Sequence, residues 1–143
     1  MHSGKLIVLL LGLAFSTSAA AGLTLKETEK LSDQAMKNFA NEDFEAGYKL
    51  LRPHWPIPGV EIDGLINQTQ QQWPLISTRF GASIGYELIK SSTAGESLRR
   101  MIYIHKFDKH FITWVFVFYK AKDSWQINSV SFNDQVQLPF SAH

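Results

Sequence analysis

His105, Asp108 and His110 form the one H-x-x-D-x-H set in this chain whose residue types could do chemistry: histidines with a carboxylate hold zinc or pass protons between an acid and a base. Their spacing argues against both uses. Asp108-Lys109 reads as a two-residue turn between the strands SLRRMIYIHKF and HFITWVFVFYK, so His105 and His110 fall on opposing strands, two positions out of step. We read the set as the solvated end of a hairpin and expect neither a metal nor a cofactor. A second group is Tyr103, His105, Trp114 and Phe116, with Arg99 toward one end; aromatic walls with a few polar groups suit a small-ligand pocket. In such a pocket His105 is the candidate base, and Tyr103 the proton donor or orienting group, of isomerase or dehydratase chemistry. The competing expectation is that these rings fill a core against Phe39, Tyr48, Leu65 and Trp73. Arg99 and Arg100 are consecutive on a strand and point to opposite faces, so they cannot clamp one anion. A third candidate is Pro53-His-Trp-Pro-Ile-Pro58, whose rigid backbone either displays His54 and Trp55 as an interaction anchor or folds Trp55 back as a lid.

The elements that must position these side chains are legible in the spacing. Thr24-Leu-Lys-Glu27 is a capping box, followed by Leu31, Ala35, Met36 and Phe39 at helical intervals, which predicts a helix over Leu25 to Ala40. Asp43 can cap a second, short helix with Phe44, Tyr48 and Leu51 on its apolar face, ending before Pro53. Ile62, Leu65, Ile66, Trp73 and Ile76 predict a third helix from Glu61, kinked or restarted at Pro74 because proline lacks an amide donor. Arg79 to Gly85 reads as a link, Tyr86 to Ser91 as a first strand, and Ser92 to Glu96 as the turn before three further strands that end at Asn133. The expected fold class is α+β in the order ααα-ββββ, with N-terminal helices packed on a curved antiparallel four-stranded sheet.

The two-residue turn also assigns faces. It pairs His105 with Ile112, Tyr103 with Trp114, Met101 with Phe116 and Arg99 with Phe118, and leaves Ile102, Ile104, Val115, Val117 and Tyr119 on the opposite face, interrupted by Arg100, Lys106 and Thr113. Both faces are apolar, and one helix layer can bury only one. The second, carrying Ile102, Val115 and Val117, is therefore a candidate interaction surface, closed either by a second copy in a homodimer or by terminal segments such as Val136 to Phe140.

Residues 1–21 read as a secretory signal peptide: Lys5 near the start, an apolar run from Leu6 to Phe15, then small residues with cleavage sites after Ala20 or Ala21. That run is too short to span a bilayer, and residues 22–143 read as one α+β domain, periplasmic or secreted. The chain has no cysteine, so no disulfide framework can hold it. Loss of Lys5 with the leader takes 14 basic residues to 13 against 13 acids, a balance that gives no drive toward nucleic acid.

Asn41-Glu-Asp-Phe-Glu-Ala-Gly-Tyr48, Arg79-Phe-Gly81 leading to Tyr86-Glu-Leu88, and Phe118-Tyr-Lys-Ala-Lys-Asp-Ser-Trp-Gln-Ile-Asn128 resemble small exported proteins of the nuclear-transport-factor-2-like, or cystatin-like, superfamily. The resemblance spans about Leu23 to Phe132 and implies a cone-shaped fold whose members include isomerases, dehydratases, small-ligand binders and non-catalytic interaction modules. This chain lacks an Asp-His pair that matches the enzymatic members. The expected function is an exported, non-enzymatic accessory domain that recognises a small apolar or amphipathic ligand or an envelope protein partner; the alternative is the His105 enzyme described above.

Overall fold

The computed structural model describes residues 22–140, so the expected leader lies outside the described residues. The elements run α1 Leu25–Ala40, α2 Phe44–Leu51, a 3-10 turn Arg52–His54, α3 Gly59–Phe80, β1 Ser83–Ala94, β2 Leu98–Phe107, β3 Phe111–Lys120 and β4 Trp125–Asn133. The strands form one antiparallel sheet in the order β1-β2-β3-β4. This is the expected α+β arrangement, three helices followed by four strands.

Local chemistry starts the helices where the sequence predicts. Thr24 Oγ1 accepts from the Glu27 amide and Glu27 Oε2 from the Thr24 amide, both at 3.2 Å, so two otherwise unpaired donors at the start of α1 are satisfied reciprocally. Asp43 Oδ1 accepts from the Ala46 amide at 3.1 Å and caps α2. The helix faces so aligned bury Leu31, Ala35, Met36 and Phe39 from α1, Phe44, Tyr48 and Leu51 from α2, and Ile62, Trp73 and Phe80 from α3.

The β2–β3 hairpin closes as a two-residue turn, with the Phe107 amide donating to the His110 carbonyl at 2.9 Å. Its register matches the expected one at His105–Ile112, Tyr103–Trp114, Met101–Phe116 and Arg99–Phe118. The face with Met101, Tyr103, His105, Trp114, Phe116 and Phe118 joins the helices in one core, as the stacking of Phe39 on Trp114 (4.4 Å between ring centres) and of Trp73 on His105 (5.3 Å) records.

Three boundaries differ from expectation. Helix α3 runs unbroken through Pro74, because Pro74 and Gln70 both face solvent, where water can satisfy the Gln70 carbonyl that proline leaves without a donor. The same helix starts at Gly59, two residues before Glu61. Strand β1 is longer than Tyr86 to Ser91, since Ser83 already pairs with Phe107 and Ala94 still pairs with Leu98. Register shifts at Ser83/Gly85 and Leu88/Lys90 interrupt the alternation from which a strand is recognised in sequence. Among the described residues, no helix is long and apolar enough to cross a membrane.

Candidate functional site

The helix-facing side of the sheet holds the residues expected to wall a pocket, and it is closed. Tyr103, His105, Trp114 and Phe116 are each 0 % exposed. Buried to this degree, the four side chains fill a core instead of walling an open pocket, and the aromatic pocket is corrected accordingly. Shape explains the outcome: Trp114 is sandwiched by Phe39 at 4.4 Å and Phe132 at 4.7 Å, and His105 lies against Trp73 at 5.3 Å and Phe107 at 4.4 Å.

His105 is held in one protonation state. Ser83 Oγ is 2.6 Å from the Ala40 carbonyl and 2.7 Å from His105 Nε2. A carbonyl can only accept, and a hydroxyl has one proton, so Ser83 donates to Ala40 and accepts from His105 Nε2–H. The imidazole is thus the neutral Nε2–H tautomer, and its Nδ1 is buried without a hydrogen-bond partner. Burial pushes the His105 pKa down to about 4, since desolvation disfavours the imidazolium. The Tyr103 hydroxyl is also buried and unpartnered, and its pKa is raised by desolvation above all. A base sealed from solvent and a phenol held neutral have no route to substrate. The Ser83 proton, moreover, points away from the ring that would have to take it. The catalytic reading of His105 and Tyr103 is therefore corrected to a structural one.

Arg99 is corrected in the same way. It is only 7 % exposed, and it donates to the Leu25 carbonyl at 2.6 Å, to Ser91 Oγ at 2.8 Å and to Glu29 Oε2 at 3.3 Å, fastening β2 to the start of α1. With its guanidinium spent on these partners it is a structural link between sheet and helix. Trp55 belongs to the core at 7 % exposure, which removes it as a displayed anchor. It folds back beside Trp125, and with Pro53, half-buried His54, Gly22 and Gln126 it lines a small cleft of about 120 Å³. The H-x-x-D-x-H set is split by the fold: His105 enters the core while His110 stacks on Phe80 at 4.5 Å. No group of three histidine, aspartate or glutamate residues converges among the described residues.

The opposite face of the sheet carries the remaining candidates, Ile102, Val115 and Val117. Directly opposed residues share a face, so Lys90, Ile102, Val115 and Ser131 form one row, and Ser92, Arg100, Val117 and Ser129 the next. On the two central strands this face carries Ile102, Ile104, Phe111, Val115 and Val117, interrupted by Arg100, Lys106 and Thr113. Its margins are Glu87, Lys90 and Ser92 on β1 and Ser129, Ser131 and Asn133 on β4. Ile102 is buried and stands outside the helix-covered core; Ile104, Phe111, Val115 and Val117 are half-buried, and Tyr119 is 45 % exposed.

Two residues that the sequence did not single out tie the molecule together. Ser83 is one, joining β1, β2 and the end of α1. The other is Glu42, which turns α1 into α2 in the left-handed region at φ 61° and accepts from Trp73 Nε1 at 2.9 Å. Neither contact has a short-range signal: Ser83 and His105 are 22 residues apart, Glu42 and Trp73 31. Compared with protein-family models, curated proteins and solved structures, the chain finds no match.

Proposed function

We propose that this protein is an exported, non-catalytic binding domain that engages a protein partner across the outer face of its sheet. The observation that carries it is the composition of that face: Ile104, Val115 and Val117 in the middle of the sheet, with Arg100 and Thr113 among them, and charged and hydroxyl side chains on the two outer strands. An apolar centre with a polar margin is the anatomy of a protein interface. Four strands about 4.8 Å apart and about ten residues long at 3.3 Å per residue span roughly 600 Å², in the range that one side of a modest interface contributes. The sealed helix-side core favours a surface function over the small-ligand alternative. Export, to the periplasm or beyond, is supported by the leader pattern of residues 1–21.

A photo-crosslinker at position 117, used in the native envelope, tests this directly. Position 117 is expected to yield a discrete protein adduct that disappears in Val115→Lys, while a crosslinker at exposed Lys49 on α2 yields none. Adducts no stronger at 117 than at 49 would remove the proposal. An adduct with twice the mass of the chain would identify the partner as a second copy.

A further inference from the structure

From the charges on the outer face we infer the chemistry of its partner: a protein that presents an aspartate or glutamate side chain to Arg100, beside apolar side chains that cover Val115 and Val117. The inference rests on the reading of that face as a protein-binding surface and adds what the partner must carry. Arg100 lies in the row Ser92, Arg100, Val117, Ser129, with a hydroxyl on each outer strand and a valine directly opposite. It is half-buried, and among the described residues it makes no ion pair. A guanidinium lying against apolar neighbours is screened less by water, so it gains more from an anion than one in bulk solvent does. At this end of the sheet Arg100 lines a hollow of about 280 Å³ with Ser92, Ala94, Leu98 and Val117, open to an incoming side chain.

Two features select a protein carboxylate. One guanidinium forks onto one carboxylate, whereas phosphorylated segments are met by clusters of arginine. Arg99 cannot complete such a cluster, because it points through the sheet to Leu25, Ser91 and Glu29. The second feature is the balance of the whole face. By register its strands carry Lys90, Arg100 and Lys106 against Glu87 alone among the described residues, so two copies laid face to face would bring two positive surfaces together. Charge complementarity therefore favours a different chain with acidic groups over a second copy.

The crosslinker at position 117 in the native envelope tests the inference when Arg100 is varied. Arg100→Glu is expected to lower the adduct yield about tenfold or more and Arg100→Gln to lower it less, while Lys30→Glu, the same change of charge on the exposed side of α1, leaves it unchanged. Sequencing the crosslinked peptide is expected to find an aspartate or glutamate beside the adduct. Replacing that residue with lysine is expected to restore the yield in Arg100→Glu, which also shows that the variant is folded. An adduct that survives Arg100→Glu overturns the inference and leaves the surface reading standing, as does a lysine exchange that restores nothing. Absence of any adduct in the unsubstituted protein removes the surface reading and this inference with it. An adduct lost on phosphatase treatment, one that joins two copies, or a crosslink closed within one chain each overturns the inference, by assigning Arg100 to a phosphate, a second copy or the chain's own residues.

Discussion

Ser83 Oγ lies 2.7 Å from His105 Nε2, and the same oxygen lies 2.6 Å from the carbonyl of Ala40, the last residue of α1. One hydroxyl thus joins the end of a helix to the start of one strand and the last part of another, and it sets the tautomer of the only fully buried histidine among the described residues. Ser83→Ala removes both bonds and leaves the imidazole with no partner at either nitrogen. A buried polar group stripped of its partner costs about 1–3 kcal/mol, so the variant is expected to lose that much in urea unfolding at pH 7. A loss below the fitting error would mean that water replaces the hydroxyl.

His105 makes stability depend on pH. Its pKa is about 4 in the folded protein, against the ordinary 6.5 expected when the chain unfolds. Between these values the unfolded state binds the extra proton, so stability is complete above pH 6.5 and declines as pH falls toward 4. The span corresponds to roughly 3 kcal/mol, approached at about 1.4 kcal/mol per pH unit in the middle of the window. Urea midpoints measured across that range are expected to fall in the wild type. His105→Gln, which does not titrate, is expected to flatten this component; an unchanged slope would place the proton uptake elsewhere.

Glu42 combines a backbone cost with a side-chain gain. Its left-handed φ of 61° suits glycine, whereas its carboxylate holds the Trp73 indole at 2.9 Å. Glu42→Ala loses the hydrogen bond and keeps the strained backbone, a loss of about 1–3 kcal/mol. Glu42→Gly loses the same bond and relieves the backbone, so it is expected to be the more stable of the two by about 0.5–1 kcal/mol. Thermal unfolding of the pair checks the order; a reversed order would mean that the conformation costs the chain nothing.

Gly47 is required by packing. A Cβ at this position in α2 would sit 2.3 Å from Phe39 Cε1, in the ring that stacks on Trp114. Alanine has the higher helix propensity by about 1 kcal/mol, yet Gly47→Ala is expected to destabilise by about 1–3 kcal/mol, because Phe39 cannot move without unstacking Trp114. Near-ultraviolet circular dichroism, which reports the packed aromatics, is expected to change with it. A stabilised variant with an unchanged spectrum would show that the core yields at Phe39.

Local rules made most of the fold legible in the sequence. The Thr24–Glu27 capping box and the Asp43 cap act over three residues, and the two-residue turn at Asp108-Lys109 determines the β2–β3 register, hence which side chains share a face. Only the tertiary structure could decide whether Tyr103, His105, Trp114 and Phe116 enclose a cavity or fill one. That depends on the volume that Phe39, Trp73 and Phe132 bring from distant parts of the chain, and no spacing rule encodes it. The same limit left open whether Trp55 is displayed or folded back, and hid the partners that Arg99 finds at the start of α1, because long-range contacts decide both. The surplus apolar face was visible once the turn was read, because alternation is local. That the helices take the face of Trp114 and leave that of Val117 was not, because layer packing is a property of the whole domain.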